Sequence, residues 1–243
     1  MHLIHTIFEP RGEGRPLSWA PSAHTVAGNG PHPTILALHG RGANALDLLG
    51  LAPYLCDGRF LVLCPQAPVQ IPLGPSGPVG YAWYPSTGSA PDMTAVQAAH
   101  ETLQAFLDAA LARYPCDPHK LIVLGFSQGG VMAYSLGLHQ PERFAALAAL
   151  STWLPPAVLD SAPNPATAQQ LPMMVQHGSR DEMIEVGRAR QSVEALRPLH
   201  LPVTYREYDM GHEITARSLT DLSAWLQEKV LSGSIAADNS SSS

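Results

Sequence analysis

Short apolar runs alternate with helix-length segments from about residue 33 onward, and this alternation constrains the possible folds of the chain. The runs are predicted strands at 34–40, 59–65, 120–126, 144–151, 171–178 and 203–209. Several are apolar nearly throughout, which is typical of central parallel strands covered on both faces. The predicted helices lie at about 93–113, 129–140, 184–197 and 215–231. The alternation predicts an α/β fold with a mostly parallel, doubly wound sheet flanked by helices.

The length of 243 residues suits one domain, predicted over residues 1–231 without a large cap domain. An edge strand or hairpin is predicted within residues 2–8. Residues 65–91 contain 7 Pro and 4 Gly, and a loop of this length tends to be functional. Residues 154–172 form a second irregular excursion. The small, polar residues of 232–243 predict a disordered C-terminal tail.

Composition excludes several classes of protein. The chain has 14 basic and 20 acidic residues and no basic cluster, which argues against a nucleic-acid partner. No apolar run approaches the roughly 20 residues that a membrane-spanning helix needs, and the start of the sequence lacks the features of a secretory signal. The three cysteines form no C-x-x-C pair, which fits a reducing compartment and no metal site. We therefore expect a cytoplasmic protein.

The segment "LIVLGFSQGGVMAY" places a serine in a glycine-rich turn between a predicted strand and a predicted helix. Gly125-x-Ser127-x-Gly129 matches the nucleophile-elbow pattern, in which glycines are needed because side chains there would collide with neighbouring backbone. The pattern alone is weak evidence, but its place between a strand and a helix strengthens it. The alternative is that Ser127 only caps the helix.

A serine nucleophile needs a base and a group that orients the base, in the chain order serine, acid, histidine for an α/β-hydrolase. Asp181 follows the strand that ends at Gly178, and His212 follows the next strand. Both are predicted at the sheet edge that carries Ser127. Glu182 is the rival for the orienting role, and His212 has the alternative of being a surface or helix-capping histidine.

The negative charge that develops during acyl transfer needs main-chain N–H donors. One is predicted at Gln128, the residue after the nucleophile, and another at Arg41 in the loop "LALHGRGAN". His39 is predicted to brace this loop. The Arg41 guanidinium is either solvated or available to a substrate carboxylate.

Four motifs in order, "HGRGAN", "GFSQGG", "HGSRDEMI" and "GHEI", resemble the phospholipase/carboxylesterase family of α/β-hydrolases, which includes acyl-protein thioesterases and small bacterial carboxylesterases. The resemblance covers roughly residues 33–230 and implies an α/β-hydrolase fold. It also implies Ser127 as nucleophile, Asp181 as orienter, His212 as base, and the main chains of Arg41 and Gln128 as oxyanion donors.

The resemblance has departures as well as agreements. Trp83 in "YAWYP" is similar to a tryptophan near the active site of the family. Arg41 replaces an apolar residue common in the thioesterases, and Thr152 stands where glycine is usual. Both departures bear on acyl specificity more than on the chemistry.

These features predict a serine carboxylesterase that hydrolyses short- to medium-chain esters through an acyl-enzyme, without metal or cofactor. A lysophospholipase or acyl-protein thioesterase is the alternative, and a serine peptidase or a non-catalytic binding module is less favoured. The expected partner is a small-molecule ester, and a homodimer is plausible for the family. The predicted acyl-pocket residues, some of which are alternatively core or lid residues, are Ile71, Leu73, Trp83, Trp153, Leu154 and Met183.

Overall fold

The computed structural model describes residues 3, 5–10, 30–75, 77, 79–86 and 90–232. The strands in this part of the chain are β1 (His5–Phe8), β2 (His32–Leu38), β3 (Leu61–Pro65), β4 (Val69–Pro72), β5 (Val79–Ala82), β6 (Cys116–Phe126), β7 (Ala146–Leu150), β8 (Met173–Gly178) and β9 (Val203–Tyr208). The α-helices are α1 (Met93–Arg113), α2 (Gln128–His139), α3 (Pro156–Ser161), α4 (Val186–Leu196) and α5 (Ala216–Leu226). Short 3-10 turns lie at Leu48–Tyr54, Cys56–Gly58, Pro141–Arg143, Pro165–Gln170 and Arg197–Leu199, and a π-helical turn at Gln227–Leu231 follows α5.

Seven of the strands form one sheet in the order β1-β3-β2-β6-β7-β8-β9. β1 runs antiparallel to β3, and the other neighbours are parallel. Residues 121–125 of β6 and all of β7 are buried because their apolar side chains face helices or turns on both sides of the sheet. The predicted fold class, a mostly parallel, doubly wound sheet, is confirmed, and β1 forms the expected edge strand.

The two faces of the sheet support separate cores. Leu36 and Leu38 of β2 point into a core shared with α1, α2 and α3. Ile35 and Ala37, which alternate with them, point into a second core with α5 and the turns at 48–58. This alternation fixes the register of β2, because a slip by one residue would exchange the two sets of side chains.

The local sequence of helix α1 determines its buried face and both of its ends. Its buried residues recur at helical spacing and include Val96, Leu103 and Leu107. Asp92 caps the helix by accepting a hydrogen bond from the Thr94 amide. The helix ends at Arg113, two residues before Pro115, in agreement with the prediction.

The structure refines other expectations. The predicted loop 65–91 contains a two-stranded hairpin of β4 and β5, and the excursion 154–172 contains α3 and a 3-10 turn. The predicted helix 215–231 divides into α5 and the π-helical turn. Beyond residue 232, the predicted C-terminal tail lies outside the described residues. The domain limits 1–231 stay a prediction. Among the helices described, none is long and apolar enough to cross a membrane.

Because β2, β6, β7, β8 and β9 are parallel, their following loops meet at one edge of the sheet. This edge carries the loop after β2, the turn into α2, and the loops that begin at residues 151, 179 and 209. Open α/β sheets bind ligands at this edge, and most of the predicted site residues lie there.

Candidate active site

Ser127 lies in the turn between β6 and α2 in a strained conformation, with φ 53° and ψ −120°. A positive φ is uncommon for a residue with a side chain. Its amide donates to the Leu150 carbonyl oxygen at 2.9 Å, which ties the turn to the end of β7. Ser127 occupies the cap position of α2, but its side chain makes no capping hydrogen bond. The alternative role as a helix cap is therefore wrong.

The glycines around Ser127 have the steric cause that the sequence predicts. A Cβ atom at Gly125 would lie 2.1 Å from the carbonyl oxygen of Gly129. A Cβ atom at Gly129 would lie 2.0 Å from the carbonyl oxygen of Leu38. The start of α2 thus contacts the backbone at the end of β2, and only glycine permits this approach.

Asp181 and His212 come from neighbouring loops and are hydrogen-bonded to each other. His212 Nδ1 lies 2.7 Å from Asp181 Oδ2, while Asp181 Oδ1 accepts from the amides of Met183 and Ile184 at 2.9 and 2.8 Å. Because a carboxylate only accepts, Nδ1 is the donor, which leaves Nε2 of a neutral imidazole as a base. The carboxylate bonded to His212 is therefore that of Asp181, which is buried. Glu182, the rival for the orienting role, is exposed.

The imidazole of His212 also lies next to the turn that carries Ser127. Its ring centroid is 4.9 Å from that of Phe126, the residue before Ser127. Within the described part of the chain, the hydrogen bonds of the His212 side chain end at Asp181. The base is therefore beside the turn that carries Ser127 but is not hydrogen-bonded to the serine, and such contacts often tighten only when a substrate binds.

The loop after β2 also lies against Ser127. A Cβ atom at Gly40 would be 3.3 Å from the Cβ of Ser127. The Gly42 amide donates to the Tyr81 carbonyl at 2.8 Å, and the Tyr81 amide donates to the Ala43 carbonyl at 3.0 Å. These bonds join the loop to β5 and hold the exposed Arg41 between two glycines near the serine.

Gln128 is the first residue of α2, so its amide has no acceptor within the helix. Its side chain is used elsewhere: Oε1 accepts from the Trp83 amide and Nε2 donates to the Tyr84 carbonyl, both at 2.8 Å. The main-chain N–H of Gln128 is thus left for a substrate, and its role as an oxyanion donor stays a prediction. The bridge to Trp83 and Tyr84 has no sequence signal.

His39 braces the loop after β2, and this prediction is confirmed. Its Nε2 accepts from the Ala67 amide at 3.2 Å, and its Nδ1 donates to the Gly40 carbonyl at 2.8 Å. Trp83 Nε1 donates to the His39 carbonyl at 2.8 Å. Burial lowers the pKa of His39, which favours the neutral form that these bonds require.

The predicted acyl-pocket residues differ widely in exposure. Trp83 and Leu154 are 1% and 4% exposed and belong to a core cluster, whereas Leu73 and Met183 are 47% and 76% exposed. Ile71 and Trp153 are half-buried, and Arg188 Cζ lies 3.3 Å from the centroid of the Trp153 ring. A groove of about 460 Å³ beside α5 contains none of these residues. The pocket therefore stays a prediction.

His177 is a buried neighbour of the Asp181–His212 pair that the sequence did not reveal. Its Nε2 lies 2.7 Å from the Ile184 carbonyl oxygen and 3.4 Å from Asp181 Oδ2. The carbonyl can only accept, so Nε2 carries the proton. His177 thus holds the turn whose amides bind Asp181. Sequence spacing does not indicate such a contact, because a strand histidine that binds a nearby turn cannot be distinguished in sequence from one that does not.

Comparison with known proteins identifies the family of this chain. The sequence profile described as Phospholipase/Carboxylesterase matches residues 22–230. The chain belongs to this family. The family consists of hydrolases that include carboxylesterases and acyl-protein thioesterases, and the chain has the α/β-hydrolase fold. Both findings agree with the resemblance seen in the sequence.

Individual members of the phospholipase/carboxylesterase family are distant in sequence. The chain is 27% identical over 225 residues to acyl-protein thioesterase 1 of Mycosarcoma maydis, covering 83% of this chain and 92% of that protein. It is 28% identical over 134 residues to acyl-protein thioesterase 1 of Gibberella zeae, covering 54% of this chain and only 55% of that protein. The carboxylesterase structure from Bacillus cereus shares the fold, with a TM-score of 0.69 at 23% identity over 82% of this chain and 89% of that one.

Proposed function

We propose that the protein is a serine carboxylesterase that hydrolyses short- to medium-chain carboxylic esters through an acyl-enzyme. The observation that carries this proposal is the 2.7 Å contact between His212 Nδ1 and Asp181 Oδ2. It lies at the sheet edge where Ser127 is held in its strained turn. A nucleophile, a base and an orienting carboxylate on one edge are the components that acyl transfer requires.

In the proposed reaction, His212 Nε2 takes the hydroxyl proton as Ser127 Oγ attacks the ester carbonyl carbon. The carbonyl oxygen becomes an oxyanion that accepts from the amides of Gln128 and Arg41. The intermediate then collapses, and His212 donates its proton to the departing alcohol. Water repeats these steps on the acyl-enzyme and releases the acid and free Ser127.

The chemistry is tested by labelling with a fluorophosphonate, which phosphonylates activated serines. We expect labelling of the parent protein and none of Ser127→Ala. Ser161→Ala, which changes a serine at the end of α3, should label like the parent. A non-catalytic binding module predicts no labelling of any variant. Equal labelling of Ser127→Ala and the parent would contradict the assignment of the nucleophile.

Acyl-protein thioesterase activity is the second candidate, because several relatives carry that name. The same triad would release a thiol where the esterase releases an alcohol. Turnover of an ester and a thioester that share one acyl group separates these candidates. Comparing acetyl, hexanoyl and palmitoyl esters then ranks chain length, and we expect the two shorter chains to be preferred. Long lysophospholipid chains as the best substrates would favour the lysophospholipase alternative.

The proposal also covers the compartment, the partner and the oligomeric state of the protein. The three cysteines are free and buried, which supports a reducing compartment such as the cytoplasm. A small-molecule ester is the proposed partner, and the homodimer stays a prediction that a measurement of molar mass in solution would test.

A further inference from the structure

Thr152 follows β7, and its side chain reaches the backbone of the nucleophile turn. Its hydroxyl donates to the Ser127 carbonyl oxygen with an Oγ1–O distance of 2.7 Å. The residue is 1% exposed, so water does not compete for this bond. The same carbonyl accepts from the Gly130 amide at 2.9 Å and more weakly from the Val131 amide at 3.4 Å. Thr152 therefore supplies the Ser127 carbonyl with a short hydrogen bond from a residue outside α2.

This bond acts on a peptide unit that matters to the proposed reaction. The Ser127 carbonyl and the Gln128 amide belong to the same peptide group, which is planar and trans. Its C=O and N–H point in opposite directions, so a hydroxyl that fixes the carbonyl also fixes the direction of the Gln128 N–H. Donation to the carbonyl further polarises the peptide and makes its N–H a better donor.

The Thr152 side chain is itself held in place. A Cβ atom at Gly130 would lie 2.4 Å from Thr152 Cγ2 and 2.7 Å from its Oγ1. The first turn of α2 thus leaves room for this threonine only because residue 130 is glycine. With its methyl group against α2, the side chain presents its hydroxyl to the Ser127 carbonyl.

We propose that Thr152 is a positioning residue for the oxyanion site: its hydroxyl orients the Ser127–Gln128 peptide so that the Gln128 N–H faces the developing oxyanion. The proposal rests on the proposed esterase function. Residue 152 also departs from the glycine that the resemblance seen in the sequence implies at this position.

The test compares Thr152→Val, which keeps the shape and removes the hydroxyl, with Thr152→Ser, which keeps the hydroxyl. Removing a whole oxyanion donor typically costs about 10²–10³ in rate. For a donor that is misdirected but present, we expect the valine variant to lose about tenfold in kcat with little change in KM. The serine variant should stay within about twofold of the parent.

An alkyl boronic acid provides a second readout that a merely structural role would not change. Ser127 Oγ attacks boron, its proton passes to His212, and one oxygen of the tetrahedral adduct occupies the oxyanion site. We expect Thr152→Val to weaken boronate binding by about the same factor as kcat, and Thr152→Ser to leave it unchanged. The thermal midpoint of each variant is measured alongside. If the valine variant fails to fold, Thr152→Ala removes the hydroxyl without adding a methyl group in its place.

Three results would overturn the assignment. One is a valine or alanine variant with parental kcat and boronate affinity, even if its thermal midpoint falls. Another is a serine variant as impaired as the valine variant. The third is a parent protein without turnover that depends on Ser127, which would overturn the proposed function as well. The first two leave the proposed function intact, so the two failures are distinguishable.

Discussion

At the scale of single residues, the backbone of Ser127 is held in a conformation that costs of order 1–3 kcal/mol for a residue with a side chain. Its amide is bonded to Leu150 and its carbonyl to Thr152, and both partners belong to β7 or the residues just after it. These bonds offset the strain by fixing the turn from two sides. The strain thereby presents the hydroxyl at the sheet edge.

The Asp181–His212 contact leads to a prediction about charge. Asp181→Asn keeps the shape of the side chain but removes the negative charge that fixes the Nδ1–H tautomer and stabilises the imidazolium. We expect kcat to fall by about 10³–10⁴ with little change in the thermal midpoint. Glu182→Gln is the matched control, because it removes a neighbouring exposed carboxylate. An unchanged Asn variant, or an equal loss in the Gln variant, would contradict the role of Asp181.

The sequence was sufficient to find the residues of the site that carry a motif or follow a strand. Ser127, Asp181 and His212 could be predicted because each follows a strand of the parallel sheet within four residues, and parallel strands place such residues on one edge. Thr152 and His177 could not be assigned roles in this way. Their partners, the Ser127 carbonyl and the 181–184 turn, are joined to them by side-chain orientation, which leaves no periodic or spacing signal.

At the scale of secondary-structure elements, the close approach of α2 to β2 gives a prediction about stability. Gly129 and Gly187 are each the second residue of a helix. A Cβ atom at 129 meets the Leu38 carbonyl oxygen at 2.0 Å, whereas nothing lies within 4 Å of a Cβ atom at 187. We expect Gly129→Ala to destabilise the fold by more than about 2 kcal/mol, since backbone must move.

Gly187→Ala is the matched control, and it should be neutral or stabilising by up to about 1 kcal/mol, because alanine is the better helix former. Urea denaturation of both variants gives the two free energies of unfolding. Equal stability of the two variants would show that the contact between α2 and β2 is looser than the structure has it.

Elements with a long, unambiguous pattern were the ones that could be predicted. Helix α1 was predicted with the bounds that the structure shows, because its apolar residues repeat over 21 residues and proline follows. The hairpin of β4 and β5 was not predicted. Each strand has only 4 residues, with proline and glycine nearby, so local sequence favours a loop, and the pairing between the strands decides otherwise.

At the scale of the whole molecule, a buried histidine makes the free energy of unfolding depend on pH. His100 of α1 contacts α2, with Nδ1 at 2.9 Å from Ser135 Oγ and its ring centroid 4.9 Å from that of His139. Burial and, to a lesser degree, the charge of His139 lower the pKa of His100 to about 4, while the nearby Glu101 opposes this shift.

The sign of the effect follows from proton binding. The unfolded chain, in which histidine has its ordinary pKa of about 6.5, binds more protons than the folded one between about pH 4 and 6.5. The free energy of unfolding should therefore fall as pH decreases through this window, by about 1–3 kcal/mol, and level off below it. Denaturation curves across the window measure the slope. His100→Gln should reduce this slope, leaving the part that His39 contributes, and an unchanged slope in that variant would exclude His100 as a cause.

The proposed function requires Ser127 Oγ to be the atom that carries the acyl group. The most direct measurement is mass spectrometry of the protein quenched in acid during turnover of nitrophenyl butyrate. We predict a butyryl adduct on the peptide that contains Ser127, absent from Ser127→Ala. The adduct should form far more slowly in His212→Gln, because acylation needs the base. An adduct on another residue, or hydrolysis by Ser127→Ala at the rate of the parent, would contradict the account.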